Sequence, residues 1–128
     1  MSDDKGQLAA NAALGQLGVP YRYGGNSPTG FDCSGLIEYA YASIGVSVPG
    51  TTGGLWDGLA PVGNDELRSG DILFFSIDGK MSHVGMYIGN GEFVHSPESG
   101  RTVEVESLDS PFYRQAYIRA GRAIPPPH

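Results

Sequence analysis

The spacing of apolar residues changes once along this chain, near Gly70, and that change limits the folds open to it. Before Gly70, apolar residues recur every three to four positions; after it they fall in short runs and alternations. The first spacing is that of a helix with one buried face, the second that of strands. Helices first and antiparallel strands second make an α+β domain rather than an alternating α/β one. The chain is 128 residues long, enough for one domain and its core. We therefore expect one folded domain over residues 1–124 and a Pro-rich tail over 125–128 (Pro125-Pro126-Pro127-His128), which reads as extended and frayed.

The first helix is predicted over Ser2–Gly18, with Ser2 as N-cap, Asp3 and Asp4 in the first turn, and Ala10, Leu14 and Leu17 as its apolar stripe. A loop rich in Gly, Pro and aromatics follows, Tyr21–Phe31. The second helix opens on Asp32 as N-cap and carries Cys33, Leu36, Ile37, Ala40, Tyr41 and Ile44 on one face, with Gly45 closing it. Gly50–Val62 reads as a loop with one helical turn near Leu55-Trp56. Strands are predicted at Ile72–Phe75, His83–Ile88, Glu92–His95, Thr102–Glu106 and Gln115–Ala123.

Composition narrows the partners. Eight basic and 14 acidic residues leave a net charge of −6, and the basic residues are scattered. Nucleic acid and an anionic membrane surface both ask for a basic face, so neither is an expected partner. No apolar stretch is long enough to insert into a membrane, and residues 1–5 lack the apolar core of a signal peptide. The chain has a single cysteine, Cys33, so no internal disulfide forms.

Cys33 is the first residue of the second helix, where unpaired N–H groups favour a thiolate and can hold an oxyanion. This placement predicts a thiol that alkylates at lower pH than a free one. Gly35 is expected to keep the first turn open to a substrate. A nucleophilic cysteine needs a base, and His83 and His95 are the two histidines outside the tail. Their relation depends on the hairpin between them. A two-residue turn at Asn90-Gly91 would put Met86 opposite His95 and the imidazoles on opposite faces. A three-residue loop, Gly89-Asn90-Gly91, would put Gly85 opposite His95 and both imidazoles on one face, with Cα atoms roughly 7–8 Å apart. We expect the three-residue loop. His83 then takes the thiol proton and His95 orients the His83 ring, with Gly85 leaving room for both. Zinc held by Cys33, His83 and His95 is the other chemical reading, but no paired ligand spacing supports it; no metal or organic cofactor is expected.

Five blocks occur in order: Tyr21-Arg-Tyr-Gly-Gly25, Phe31-Asp-Cys-Ser-Gly-Leu36, Leu67-Arg-Ser-Gly-Asp-Ile-Leu-Phe-Phe75, Ser82-His-Val-Gly-Met-Tyr-Ile-Gly89 and Phe93-Val-His95. Together, from about Leu8 to Arg119, they resemble the NlpC-type family of bacterial cell-wall cysteine peptidases. The resemblance implies a reduced papain-like fold with the catalytic helix packed on an antiparallel sheet of five to six strands. It implies a triad of Cys33, His83 and His95, with Tyr21 near the oxyanion and Tyr23 a weaker candidate for that role. It implies hydrolysis of peptidoglycan stem peptides, usually between D-γ-glutamate and meso-diaminopimelate or lysine. Asp32 and Ser34 would help hold the free amine of the stem peptide, although Asp32 also caps its helix. Ser82 and Trp56 complete the candidate substrate-binding residues, Trp56 reading more readily as a packing residue.

On this reading the protein works as a monomer at the bacterial wall, in the periplasm or outside the cell. It lacks a signal peptide and a wall-binding repeat of its own, and would be delivered by another route, belong to a phage, or derive from a longer protein. A delivered toxin would have a cognate inhibitor. Two rivals stand beside the peptidase. One keeps the fold with acyltransferase or muramoyl-alanine amidase chemistry. The other is a non-catalytic wall-binding or phage-tail domain.

Overall fold

The computed structural model describes residues 4–77 and 79–123. The tail and Ser2 lie outside these residues. The helical half begins with α1 (Lys5–Leu14), followed by a small two-stranded ribbon, β1 (Asn26–Ser27) and β2 (Gly30–Phe31), and then α2 (Cys33–Ala42) and α3 (Thr52–Gly58). The rest is β3 (Ala60–Val62), β4 (Ile72–Ile77), β5 (Lys80–Gly89), β6 (Glu92–His95), β7 (Glu104–Ser107), α4 (Pro111–Ala116) and β8 (Tyr117–Arg122). The six longer strands form one antiparallel sheet in the order β3-β8-β4-β5-β6-β7. This is the α+β architecture expected from the change of period.

The first helix is shorter than its sequence suggests. Asp4 caps it, accepting from the Gln7 N–H, and it ends at Leu14. Its buried face is Ala9, Ala10 and Ala13, while Leu17 is exposed beyond the helix end. Three alanines on the buried face let α1 lie close against α2. The second helix starts as read: the Asp32 carboxylate accepts from the Gly35 N–H, and Leu36, Ile37, Ala40 and Tyr41 are buried.

Four elements differ from expectation. The presumed loop after Gly50 holds a seven-residue helix, α3, capped by the Thr51 side chain at the Gly54 N–H, and then the edge strand β3. Gln115 and Ala116, expected in the last strand, end the short helix α4, which has Pro111 at its first turn. The strand expected at Thr102–Glu106 runs instead over Glu104–Ser107.

The sheet separates two apolar clusters. One face, with Ile72, Phe74, Val84, Met86 and Val94, packs on α1, α2 and α3. The other, with Leu73, Phe75, Phe93 and Ala120, is closed by Tyr113, Ala116 and Tyr117. A buried ion pair pins the start of β4. Arg122 donates to both Asp71 carboxylate oxygens at 2.8 Å, and the Arg68 N–H adds a third bond to the same carboxylate. Beside it, the buried Tyr41 hydroxyl donates to the Gly70 carbonyl at 2.6 Å. The Tyr41 bond ties α2 to the turn before β4.

Candidate active site

The nucleophile candidate is set by its cap and by the loop before it. One Asp32 oxygen takes the Gly35 N–H at 2.6 Å and the other takes the Gly24 N–H at 3.1 Å. Both oxygens are thus engaged in holding the loop and the helix start together. A Cβ on Gly35 would lie 1.9 Å from the Gly25 carbonyl oxygen. The absent side chain therefore admits the protein's own loop, not a substrate as expected. Ser34 is buried, and its hydroxyl donates to the Gly50 carbonyl at 3.0 Å. Its hydroxyl is tied into the fold rather than presented to a ligand.

Cys33 itself is partly buried. The Thr52 hydroxyl, at the start of α3, lies 3.8 Å from its sulfur. Backbone hydrogen bonding at Val84 and Ser34 also reaches the thiol. Val84 is the residue after His83 on β5, so the thiol sits against the strand that carries the base candidate. Burial pushes the Cys33 thiol up, and the charge of Asp32 adds to that. The Thr52 hydroxyl and the two backbone contacts pull the other way without cancelling it. The thiol poised to ionise at low pH is therefore not what the structure shows. Desolvation is the largest influence on this thiol and favours its protonated form.

The hairpin between the histidines turns on the two residues Asn90 and Gly91, not on the three-residue loop expected, and a bulge adjoins that turn. Gly89 pairs with Glu92 across a two-residue turn, with Asn90 and Gly91 both at positive φ (55° and 76°). That is the primed geometry matching the strand twist. Ile88 is then an extra residue, a β-bulge that shifts the ladder so that Tyr87 faces Phe93 and Met86 faces Val94. One step on, Gly85 faces His95. The two imidazoles therefore do share a face, but the bulge achieves this and not the three-residue loop. A second bulge, at Ser82, precedes His83 where β5 pairs with β4. Ser82 is exposed there.

His83 Nε2 and His95 Nδ1 are 2.8 Å apart. Gly85 makes room for this, since a Cβ there would meet the Phe93 ring at 2.7 Å and His95 Cβ at 3.4 Å. Phe75, Phe93 and Tyr113 wall the pair, with Phe93 4.7 Å and Tyr113 5.3 Å from His95 between ring centres. Burial holds His83 well below the ordinary histidine range. His95 is lowered by burial, then by His83 and Arg101. Both rings are neutral. Among the described residues, His95 Nε2 is buried without a hydrogen-bond partner.

Tyr21 is half-buried, and the charges that raise its hydroxyl, after burial, are Cys33, Asp32 and Tyr23. Its backbone bridges to Phe31, two residues before Cys33, whereas Tyr23 is 91% exposed. Trp56 packs edge-on against Phe74 at 5.1 Å and carries the Arg119 guanidinium over its ring at 3.6 Å. Its contacts are those of a core anchor. Sequence reasoning missed Thr52 beside the thiol and Tyr113 beside His95. Both stand on the helices that went unrecognised.

Known proteins place this geometry in context. The model of the NlpC/P60 family matches residues 18–122. Murein DD-endopeptidase MepH of Escherichia coli is 40% identical over 94% of this chain and 46% of its own length. The gamma-D-glutamyl-L-lysine dipeptidyl-peptidase of Bacillus cereus is 40% identical over 85% of this chain and 34% of its own. A crystal structure of an NlpC/P60 family protein from Bacillus cereus superposes with a TM-score of 0.88 at 37% identity, over 94% of this chain and 40% of that one. The NlpC/p60 domain of the peptidoglycan hydrolase SagA gives 0.79 at 31% identity, over 91% of this chain and 97% of that domain. The chain spans less than half the length of the two curated relatives. With a family match across most of its residues and a shared fold, this chain belongs to the NlpC/P60 family.

Proposed function

We propose that this domain is a cysteine endopeptidase of peptidoglycan stem peptides, acting through Cys33, His83 and His95. The observation that carries the reading is the 2.8 Å contact between His83 Nε2 and His95 Nδ1, with Cys33 packed on the strand at Val84. With Nε2 turned to His95, the His83 nitrogen left for the thiol is Nδ1. For Nδ1 to accept a proton, the His83 hydrogen must be on Nε2, donated to His95 Nδ1. His95 must then carry its own hydrogen on Nε2.

Chemistry follows from that arrangement. The resting thiol and imidazole are both neutral, so proton transfer from Cys33 to His83 accompanies attack on the scissile carbonyl. The Cys33 N–H, in a helix turn whose N–H groups lack intrahelical acceptors, and the Tyr21 hydroxyl steady the oxyanion. The charged His83 is stabilised by its bond to His95 and gives its proton to the leaving amine. Water, deprotonated by His83, releases the thioester.

We assign the cut to the link between D-γ-glutamate and the diamino acid, as the name of the Bacillus cereus relative states for that enzyme. A DD link is the second reading, on the name of the Escherichia coli relative of equal identity. The site of action is the cell wall. No helix among the described residues is long and apolar enough to cross a membrane. Digestion of purified sacculi, read by mass spectrometry, tests both readings. The expected products carry a newly freed diaminopimelate or lysine amine and vanish with Cys33→Ala. Fragments cut only at a D-alanyl cross-link would favour the second reading. An undigested wall would move the assignment to acyl transfer or binding.

A further inference from the structure

The catalytic relay ends on an open valence. His95 is fully buried, its Nδ1 is taken by His83, and its Nε2 meets no partner among the described residues. On the neighbouring strand Glu104 lies directly opposite His95 and Glu106 opposite Phe93, so both carboxylates project on the same face as the imidazole. One nitrogen of His95 and one carboxylate oxygen from each glutamate lie within 4.8 Å of one another. Nε2 is the nitrogen free to serve. A cleft of about 330 Å³, lined by His83, Glu98, Arg101, Glu106 and Tyr113 among others, reaches the edge of this group at Glu106.

We propose that His95, Glu104 and Glu106 form an inhibitory site for a divalent first-row transition ion such as Zn²⁺. One neutral imidazole and two carboxylates are a three-ligand set for zinc, with water completing the tetrahedron. Arg101, paired with Glu104 and with Glu98, is the resident cation of this group. It opposes the metal's charge and holds one of its ligands, so the metal binds in competition with Arg101.

Inhibition follows from proton placement. An ion on His95 Nε2 displaces the hydrogen there to solvent. His95 then carries its hydrogen on Nδ1, received along the bond from His83 Nε2, and donates back to that nitrogen. His83 takes a replacement hydrogen from solvent on Nδ1. Each ring still holds one hydrogen, but the nitrogen facing the thiol is no longer a base. This half of the inference rests on the proposed role of His83; the binding site itself does not.

Calorimetric titration of Zn²⁺ into the full chain tests the site. Cys33→Ala is used so that the thiol contributes no ligand. One ion is expected to bind. Adding Glu106→Gln should weaken it at least about tenfold, and adding Arg101→Gln should tighten it. Circular dichroism checks that each variant is folded, and Glu104→Gln replaces Glu106→Gln if that one is not. No binding to Cys33→Ala, or unchanged affinity with Glu106→Gln, overturns the site. In the parent, Zn²⁺ should stop turnover and a chelator restore it. Glu106→Gln should need at least about tenfold more Zn²⁺ for half-inhibition, measured against its own metal-free rate. Binding in calorimetry with undiminished turnover of the zinc-loaded parent overturns the inhibition alone.

Discussion

Two buried polar pairs are built on the same sheet, and they are finished differently. Asp71 and Arg122 meet through two 2.8 Å bonds, and the Arg68 N–H and Glu66 carbonyl take up further valences. His83 and His95 meet through one bond, and among the described residues His95 Nε2 is left without a partner. The first pair is closed on every side that faces the protein. The second is desolvated, aromatic-walled and incomplete. A buried polar group without a partner costs stability, so a pair left in that state points to chemistry and a completed pair to architecture.

Substitutions that separate the two roles give the largest effects. His83→Ala should lower turnover by about 10²–10⁴-fold per folded molecule, an effect on chemistry far larger than its effect on folding. His95→Ala should lower turnover less, since it orients the base without touching the thiol. Asp71→Ala should do the reverse. Removing one partner of a buried pair costs about 3–5 kcal/mol, and the partial exposure of Arg122 puts this case at the lower end. Activity per folded molecule should be unchanged. A variant of Asp71 that stays stable but turns over slowly would break the comparison.

Acid should distinguish the pairs next. The folded His83 is held down at about 4 against an ordinary 6.5. As pH falls through 6.5 the unfolded chain takes up the proton first, so stability is complete above that pH and is lost towards pH 4. The loss attributable to His83 is about 3 kcal/mol. Unfolding in urea across this window should show the decline, and His83→Gln with His95→Gln should remove most of it. A parent whose stability stayed flat from pH 7 to 4 would deny that the rings are buried and neutral.

Smaller effects sharpen the picture. Tyr41→Phe leaves the Gly70 carbonyl without its buried donor and should cost about 1–3 kcal/mol with no change in chemistry. At the thiol, alkylation of the parent should rise with pH to a midpoint above that of a free cysteine, because burial dominates. Thr52→Val removes a contact that favours the thiolate and should move the midpoint higher still. A midpoint well below pH 8 would restore the ionised thiol expected from the helix terminus alone.

What could be read in advance was whatever a short stretch of sequence decides. Asp32 before an apolar stripe announced the start of α2, and with it Cys33 at the first turn. The change of period announced the sheet. The histidine pair was half legible: alternation assigned the faces, but periodicity cannot count the extra residue at Ile88 that brings them together. The two missed helices had signals that were passed over, Thr51 as a cap before a Gly-rich turn and Ser110-Pro111 before α4. Glycine's poor helix propensity argued against the first. Thr52 and Tyr113 went unseen because they stand on those elements. The Asp71–Arg122 pair spans 51 positions, and no local pattern encodes such a contact.

The relay of hydrogens from thiol to His95 is the claim on which the rest depends. Nitrogen-15 spectra of the imidazoles at pH 7 read it directly. The account predicts that His83 and His95 are both neutral with hydrogen on Nε2, and that a coupling across the hydrogen bond joins His83 Nε2 to His95 Nδ1. A charged His83, or one with its hydrogen on Nδ1 in metal-free protein, would contradict it.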